Sequence, residues 1–267
     1  MDHSRFIENI LREASKIANE NFGKVEGAIK GGNNNQVLTE TDLAIGKHLV
    51  GAVKETYPGH NIIDEEAGIV DNNSTLTWVI DPIDGTSNFS QGIPLYGVMI
   101  GLLDKDTSVA GGVALPYFGE IYLAEKGKGA SCNGKKIAVT NIPKLLSTLV
   151  AYGIDGHQEN PEITYEESRM LAEIILNIRN LRTSNSAYDM VMVAKGKYGA
   201  YLNRTTAIWD NVAPQIVLEE AGGIYTDFFG KPIDYANPLQ KADLNFTACA
   251  SSPQLHEQIQ AVIHKQF

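Results

Sequence analysis

The fold of this chain is decided by the stretch Trp78-Val79-Ile80-Asp81-Pro82-Ile83-Asp84-Gly85-Thr86-Ser87-Asn88-Phe89. Its apolar start predicts a buried strand that delivers Asp81 to its end, where the following proline biases the aspartate toward an extended backbone. Asp84 follows three residues later, so one short turn brings the two carboxylates to a single point. Gly85 lets the backbone approach a ligand closely, and a helix predicted to begin at Thr86 presents its first amides outward.

Carboxylates beside free backbone amides make a poor site for an anion alone, because like charges repel. The combination makes sense when divalent cations lie between the acids and a phosphate. The alternative interpretation is that Asp-Pro and Asp-Gly form turns and nothing more. The rest of the chain decides between the two.

Length and composition limit the possible functions. The 267 residues predict two domains or one large one, and an apolar fraction of 43% is ample for a core. Two distant cysteines, the lack of a signal-peptide pattern and the lack of a run of about 20 apolar residues predict a cytoplasmic protein with no membrane partner. The net charge of −10 argues against a nucleic-acid partner and is compatible with bound metal.

The first half of the chain predicts helices followed by an antiparallel sheet. Helical spacing covers residues 4–21 and 43–53, and the polar, glycine-rich residues 28–35 predict a mobile loop between them. After residue 96, apolar runs separated by turn residues predict successive hairpins, with Asn133-Gly134 as a strong turn signal. We therefore expect an antiparallel sheet packed with the two early helices.

Strands and helices alternate in the second half. The predicted strands begin near residues 149, 178, 200, 224 and 246, and the predicted helices begin near residues 163, 186, 210 and 253. Such alternation predicts an α/β layer with a parallel or mixed sheet. We expect an α+β domain of residues 1–140 that carries most of the candidate metal ligands, and a smaller α/β domain of residues 141–267.

Acidic residues stand near the ends of predicted elements in both halves: Asp42, Glu65, Asp81, Asp84 and Asp210. Helix capping alone would account for Asp42 and for Asp210, and the acids around Glu65 could form a solvated turn. No Ser-His-Asp, Cys-His or HExxH pattern stands out. A hydrolase without a side-chain nucleophile must activate water, and clustered carboxylates do so through hard cations such as Mg²⁺.

Taken together, these residues resemble the inositol monophosphatase family. The resemblance rests on Asp42, Glu65-Glu66, Asp81-Pro82-Ile83-Asp84-Gly85-Thr86, Trp209-Asp210, Gly222-Gly223 and the hairpin residues Gly127-Lys128-Gly129-Ala130 with Asn133-Gly134, and it spans nearly the whole chain. It implies a layered αβαβα sandwich of the fructose-1,6-bisphosphatase and inositol monophosphatase type. It also implies a homodimeric, lithium-sensitive phosphomonoesterase that uses two or three Mg²⁺ ions per subunit.

The resemblance further implies a set of metal ligands. Glu65, Asp81 and the backbone carbonyl of Ile83 would hold a first Mg²⁺, and Glu65 would help to bind a third, weaker one. Asp81, Asp84 and Asp210 would hold the second.

Roles in the chemical step are implied for the residues around these ligands. Thr86, hydrogen-bonded to Asp42, would orient or deprotonate the attacking water, while the amides of Gly85 and Thr86 would receive the phosphate. Lys30 by itself is interpreted as a solvated lysine, although it falls where the family carries a lysine on a mobile metal-binding loop. Glu66 is expected to support the site without ligating metal directly.

Substrate contacts are implied for Asp84, Asn185, Ser186, Ala187, Asn203 and Asp210. Two of these depart from many animal members, because Asn185 replaces a glycine and Asn203 replaces a glutamate that binds inositol hydroxyls. The neighbouring Arg204 is either a surface arginine or a cation that favours a second phosphate.

Three functions therefore remain open. The first is hydrolysis of inositol monophosphate or a related sugar phosphate. The second is hydrolysis of fructose-1,6-bisphosphate, NADP or 3′-phosphoadenosine-5′-phosphate. The third, from a different class, is a regulatory partner-binding protein that retains the fold. The intact set of acids favours an enzyme.

Overall fold

Alternating layers of helices and sheet, in the order αβαβα, make up the part of the chain that the computed structural model describes, residues 3–30 and 33–265. This arrangement confirms the layered sandwich expected from the sequence. Its first layer consists of helices α1 (His3–Asn21) and α2 (Glu40–Thr56), which pack against each other. The spacing of Ile7, Leu11, Ala14 and Ala18 places these apolar side chains on one buried face of α1.

A β-hairpin replaces the mobile loop that was predicted for residues 28–35. Strands β1 (Ala28–Lys30) and β2 (Asn33–Leu38) pair antiparallel, and residues 31 and 32 between them lie outside the described residues. The loop prediction was wrong because polar asparagines can form ladder hydrogen bonds through their backbone, whatever their side-chain propensity. Helix α3 (Thr86–Ser90) packs against β2, so the hairpin lies next to the stretch of residues 78–89 that decides the fold.

The second layer is a large, mostly antiparallel sheet. Its strands are β3 (Asn61–Asp64), β4 (Gly68–Val70), β5 (Leu76–Asp84), β6 (Gly97–Asp104), β7 (Thr107–Leu115), β8 (Glu120–Glu125), β9 (Ala130–Cys132) and β10 (Lys135–Lys136), in the order β10-β9-β8-β7-β6-β5-β3-β4. The predicted hairpins are confirmed from β6 to β10. The pair β3 and β5 is parallel, which the expectation of an antiparallel sheet did not include.

The third layer contains helices α5 (Ala187–Ala194) and α6 (Ile208–Glu220), which lie between the two sheets. Close packing requires glycine at Gly101 of β6, because a Cβ atom there would lie 2.7 Å from a side-chain atom of Val212. The small residue thus lets α6 approach the larger sheet.

The remaining layers belong to the second half of the chain. The smaller sheet contains β11 (Leu149–Gly153), β12 (Asn180–Arg182), β13 (Ala200–Thr206), β14 (Ile224–Thr226) and β15 (Phe246–Ser251), in the order β12-β11-β13-β15-β14. Strands β12, β11 and β13 are parallel to one another, whereas β15 is antiparallel to its neighbours, so the predicted mixed sheet is confirmed. The pairing of β13 with β15 is irregular between Asn203 and Thr206. Helices α4 (Pro161–Asn177) and α7 (Pro253–Ile263) form the outer layer.

The layers are joined by packing that crosses the middle of the chain. One apolar cluster contains Met99 and Val113 of the larger sheet together with Val191, Val217 and Ala250 of the second half. The division into residues 1–140 and 141–267 therefore stays a prediction about folding units. No helix within residues 3–30 and 33–265 is both long and apolar enough to span a bilayer.

Candidate active site

The stretch of residues 78–89 that decides the fold contains a sharp turn between β5 and the short helix α3 (Thr86–Ser90). Strand β5 continues past Ile80 to Asp84, and Gly85 caps α3 with a φ of 85°, in the left-handed region. A Cβ atom at Gly85 would lie 2.8 Å from the Cβ of Ser186, so both the backbone angle and the close approach require glycine. The turn thereby brings the first half of the chain against the start of α5.

Three carboxylates converge at this turn, and we call Asp81, Asp84 and Asp210 the acid floor. One oxygen of each lies within 4.8 Å of the others. Burial raises the pKa of Asp81 well above its usual range, and the charges of Glu65, Asp84 and Asp210 raise it further. Burial and the neighbouring Asp210 do the same to the pKa of Asp84. The cluster therefore concentrates negative charge that a cation would neutralise.

Backbone amides hold the acid floor in place. Asp84 Oδ2 accepts a short hydrogen bond from the amide of Ala187, at the beginning of α5. Asp210 Oδ2 accepts a 2.6 Å hydrogen bond from the amide of Ala207, at the beginning of α6. Burial raises the pKa of Asp210 to about 6, although this hydrogen bond opposes the shift. The sequence interpretation of Asp210 as the N-cap was wrong in position, because Ala207 is the N-cap and Asp210 lies in the first turn of α6. Its hydrogen bond to the N-cap amide does not exclude a role in the site.

The floor fits a hard divalent cation. Asp81 is 1% exposed, and its Oδ1 has no hydrogen-bond partner within the described part of the chain. A buried carboxylate oxygen without a partner is costly unless another positive group satisfies it. All three side chains donate oxygen, which is the donor that Mg²⁺ and Ca²⁺ prefer.

Glu65 lies beside the floor and is paired with a lysine. Lys30 Nζ donates to Glu65 Oε1 at 2.7 Å and makes a short contact with Glu66 Oε1. Burial raises the pKa of Glu65 to about 7 against the opposing charge of Lys30. The interpretation of Lys30 as a solvated lysine was wrong, because the hairpin β1–β2 places its side chain on these two glutamates. Asp64 Oδ1 accepts from the amides of Glu66 and Ala67 and so fixes the turn that carries both acids.

Asp42 is shared between a helix cap and the site. Its Oδ2 accepts from the amide of Thr39 at 2.8 Å and completes a capping box at the start of α2. Its Oδ1 accepts from the Thr86 hydroxyl, with the two oxygens 3.1 Å apart. The same hydroxyl lies 2.8 Å from the Ile83 carbonyl. Burial raises the pKa of Asp42, which makes the carboxylate a better proton acceptor than an exposed aspartate.

A pocket of about 700 Å³ opens above the acid floor. We call the side of this pocket formed by Asp155, Asn185 and Asn203 the amide wall. Asn185 Nδ2 donates to Asp155 Oδ1 at 3.0 Å, and Asn203 Nδ2 lies 3.5 Å from Asn185 Oδ1. Ser186 also lines the pocket, whereas the amide of Ala187 is engaged by Asp84.

Asp155 and His157 line the pocket and were missed at the level of sequence. Both follow β11, whose parallel partner β13 carries Asn203. Because the carboxyl ends of parallel strands meet at the same edge of a sheet, the polar residues after residue 153 were the signal that could have identified them.

Arg204 does not face the pocket, although Asn203 and Thr205 on either side of it are among the described pocket residues. The side chain lies on the opposite face of β13, since successive residues of a strand alternate. Its guanidinium stacks over the Phe228 ring at 5.7 Å and lies 3.9 Å from Glu166. The suggestion that Arg204 favours a second phosphate therefore loses its geometric basis.

Comparison with known proteins gives a consistent result. The sequence pattern of the inositol monophosphatase family matches residues 3–266. Inositol monophosphatase 1 of Bos taurus is 35% identical, with 79% of this chain and 78% of the relative covered. A fructose-1,6-bisphosphatase/inositol-1-monophosphatase of Aquifex aeolicus is 31% identical, with 81% and 82% covered. A protein named Nus factor SuhB from Haemophilus influenzae is 29% identical, with 81% and 82% covered.

Solved structures share the architecture. An extragenic suppressor protein suhB of Bartonella henselae superposes with a TM-score of 0.87 at 23% identity, with 98% of each chain covered, and shows the fold alone. An IMPase of Thermotoga maritima superposes with a TM-score of 0.86 at 25% identity, with 100% of this chain and 98% of that chain covered. The fold, the converging acids and the match over nearly the full length agree: this chain belongs to the inositol monophosphatase family of phosphatases.

Proposed function

We propose that this protein is a Mg²⁺-dependent phosphomonoesterase that hydrolyses inositol monophosphate or a related sugar phosphate. The observation that carries the proposal is the acid floor, where three carboxylates from both halves of the chain lie within 4.8 Å of one another. The buried Asp81 Oδ1, which has no hydrogen-bond partner among the described residues, supports a cation at this point. Family membership supports the phosphatase activity itself.

Mg²⁺ would be held by the acid floor together with Glu65 and the Ile83 carbonyl, with two or three ions per subunit. When bound, the ions would lower the pKa of a coordinated water and neutralise charge on the phosphoryl group. Glu65 would become available as a metal ligand when its hydrogen bond with Lys30 is replaced by a bond to the ion. Lys30 Nζ would then remain bound to Glu66, which supports the site without ligating metal.

Thr86 and Asp42 would handle the proton of the attacking water. The Thr86 hydroxyl is already directed at acceptors, so its oxygen can in turn accept from a water in the pocket. As the water loses a proton to Thr86 Oγ1, the threonine proton passes to Asp42 Oδ1. The capping bonds to the other oxygen of Asp42 keep this carboxylate in position.

The phosphate would be received at the start of α3. The amides of Gly85 and Thr86 lie where a helix begins, and unpaired amides at such a position stabilise an anion. Both residues line the pocket next to the acid floor. Asp84 and Asp210 would also contact the leaving group from the acid floor.

The leaving group would lie against the amide wall, near Asn185, Ser186, Ala187 and Asn203. Asn203 would support the wall and not bind the substrate directly, because both ends of its amide are already engaged. Its Oδ1 accepts from the amide of Thr205 at 2.7 Å, and its Nδ2 donates to the Tyr201 hydroxyl at 3.1 Å. It therefore orients Asn185, which lies nearer the pocket opening. Ser184 and Ser186, with hydroxyl oxygens 2.9 Å apart, extend the polar surface.

A second candidate is hydrolysis of fructose-1,6-bisphosphate, which the printed name of the Aquifex aeolicus relative suggests. NADP and 3′-phosphoadenosine-5′-phosphate belong to the same group of substrates that carry further charge. The position of Arg204 on the outer face of β13 weakens this candidate, because the side chain cannot meet a second phosphate in the pocket.

The deciding experiment is phosphate release from purified protein with Mg²⁺ and with EDTA. The panel holds inositol-1-phosphate, fructose-1,6-bisphosphate, NADP and 3′-phosphoadenosine-5′-phosphate. We expect Mg²⁺-dependent release with inositol-1-phosphate ranked first and uncompetitive inhibition by lithium. No release from any member by folded protein would contradict the proposal.

The assembly and any partner are tested separately. The homodimer that family resemblance implies would be measured by sedimentation equilibrium. A regulatory role, which the name Nus factor of one relative suggests, would be tested by affinity capture with an inactive Asp84→Asn variant. We place the protein in the cytoplasm, where its free cysteines Cys132 and Cys249 would stay reduced.

A further inference from the structure

We propose that Asp155 determines the choice of leaving group: its carboxylate accepts a hydrogen bond from a substrate hydroxyl and disfavours a substrate that carries a second phosphate. This inference rests on the phosphatase function proposed above and adds a residue to it. The relevant chemistry is a phosphate ester of a neutral, hydroxyl-rich alcohol.

Asp155 is positioned by the end of β11. Gly153, the last residue of that strand, is the parallel partner of Asn203, and a Cβ atom at Gly153 would lie 2.5 Å from both Asn185 Oδ1 and Asn203 Nδ2. The absence of a side chain there allows the two asparagines to meet. Two residues later the chain presents Asp155 to the pocket that Asp210 also lines.

The hydrogen bonds of the amide wall leave Asp155 as its charged acceptor. The side-chain amide of Asn203 forms hydrogen bonds with Thr205, Tyr201 and Asn185. The side-chain amide of Asn185 forms hydrogen bonds with Asn203 and Asp155. The contact with Asn185 engages Asp155 Oδ1. The side chain of Asp155 is partly exposed and lines the pocket, so we assign its second carboxylate oxygen as the acceptor for a ligand. Hydrogen bonds from hydroxyls to a carboxylate are shorter and stronger than those to an amide.

The charge around this wall excludes a second phosphate. Asp155 and the exposed Asp243 both line the pocket. Among the described residues of the lining, the basic side chains are Lys30, which is paired with two glutamates, and His157. Arg204 points to the other face of β13. A second phosphate would therefore lie near carboxylates without an arginine or lysine to offset them, and like charges in such a site disfavour binding.

An alternative role for Asp155 is purely structural, as an anchor for Asn185. The two roles differ in what they require at position 155. An anchor needs only an oxygen for Asn185, so Asp155→Asn would keep the KM of wild type for inositol-1-phosphate and Asp155→Ala would raise it. A direct acceptor would affect only substrates that carry hydroxyls.

The test compares Asp155→Asn, Asp155→Ala and wild type on three substrates with Mg²⁺. Inositol-1-phosphate has hydroxyls, p-nitrophenyl phosphate has none on its leaving group, and fructose-1,6-bisphosphate has a second phosphate. Asparagine at position 155 keeps an oxygen for Asn185 and loses the charge. Asp106→Asn is the matched control, because it removes one exposed negative charge on the turn between β6 and β7.

We expect Asp155→Asn to raise KM for inositol-1-phosphate by about tenfold, the loss of one charge-assisted hydrogen bond, with kcat within about twofold. KM for p-nitrophenyl phosphate should stay constant, and the preference for inositol-1-phosphate over fructose-1,6-bisphosphate should fall by about tenfold or more. Asp106→Asn should match wild type on all three.

Equal changes of KM on inositol-1-phosphate and p-nitrophenyl phosphate, or no change on either, would overturn the assignment. If wild type releases phosphate from none of the substrates, the proposed function itself fails. Calorimetric titration of inositol-1-phosphate into wild type and Asp155→Asn then decides the inference, and equal affinities would overturn it.

Discussion

The acid floor and the amide wall face the same pocket but are held in different ways. In the floor, Asp84 and Asp210 each accept from a backbone amide at the start of a helix. In the wall, Asn203 also accepts from a backbone amide, that of Thr205, but Asp155 and Asn185 are joined to the rest of the wall through side chains. A hydrogen bond to a backbone amide persists when neighbouring side chains are substituted. A series of hydrogen bonds between side chains is broken by a substitution at any of its members. The floor is therefore suited to an invariant chemical step and the wall to an adjustable choice of substrate.

The largest effect should come from removing one charge from the floor. Asp84→Asn keeps an oxygen for the Ala187 amide but weakens cation binding, so we expect kcat/KM for inositol-1-phosphate to fall by about 10³-fold. Circular dichroism should show an intact fold, because fewer like charges are buried. Asp106→Asn serves as the control, and an Asp84→Asn variant within tenfold of wild type would contradict the assignment of the floor.

A smaller loss is expected at the point where the floor meets the proton acceptor. Thr86→Val removes the hydroxyl that lies 3.1 Å from Asp42 Oδ1 and should lower kcat by about 100-fold with little change in KM. Thr86→Ser retains the hydroxyl and should recover most of the activity. Equal kcat values for the valine and serine variants would remove Thr86 from the chemical step.

The floor should also be visible in the stability of the metal-free protein. The pKa of Asp210 is raised to about 6 and that of Glu65 to about 7, both above the values of the unfolded chain. Between about pH 4.5 and 8 these two groups bind more protons in the folded state than in the unfolded state. Their contribution to the free energy of unfolding therefore falls as pH rises and levels off above about pH 8.

Urea unfolding in EDTA at pH 5 and pH 8 measures this effect. We expect wild type to lose about 1 kcal/mol between the two conditions through Asp210 alone. Asp210→Asn should lose less and be the more stable protein at pH 8. An Asp106→Asn protein should follow wild type, and a wild type that gains stability toward pH 8 would contradict the raised pKa values.

The smallest effect should come from disturbing the wall without touching its polar residues. Gly153→Ala places a methyl group within 2.5 Å of the Asn185–Asn203 contact, so the two amides must separate. We expect KM for inositol-1-phosphate to rise by about fivefold with kcat unchanged. Gly156→Ala is the control, because a Cβ atom at Gly156 meets no atom within 4 Å among the described residues other than its two chain neighbours. A Gly153→Ala variant with the KM of wild type would show that the wall tolerates the separation.

Much of the fold could be predicted from the sequence because local patterns agree with tertiary packing. Helical spacing predicted α1, and Asn133-Gly134 adopts the positive φ values of 49° and 75° that a tight hairpin turn requires. The capping role considered for Asp42 is also present, because Asp42 forms a capping box with the N-cap Thr39 at the start of α2. The convergence of the acid floor was predicted from the order of the acids and from family resemblance.

The remainder depended on contacts between distant segments. No local pattern pairs Lys30 with Glu65 and Glu66, because the contact needs the hairpin β1–β2 to fold over the turn after β3. Asp155 was missed because a polar residue after a predicted strand acquires meaning only from the parallel pairing of β11 with β13. Arg204 was considered for the pocket on sequence proximity, and the alternation of side chains along β13 excludes it.

The irregular pairing of β13 with β15 between Asn203 and Thr206 bears on how such an enzyme could change its substrate during evolution. Inserting or deleting one residue at this irregularity would reverse which side chains of the strand face inward. The Arg204 guanidinium would then take the place of the neutral Asn203 amide in the pocket. The enzyme could thereby come to bind substrates with a second phosphate without any change of residue type. We therefore expect substrate specificity among related enzymes to differ more through insertions and deletions in this strand than through point substitutions.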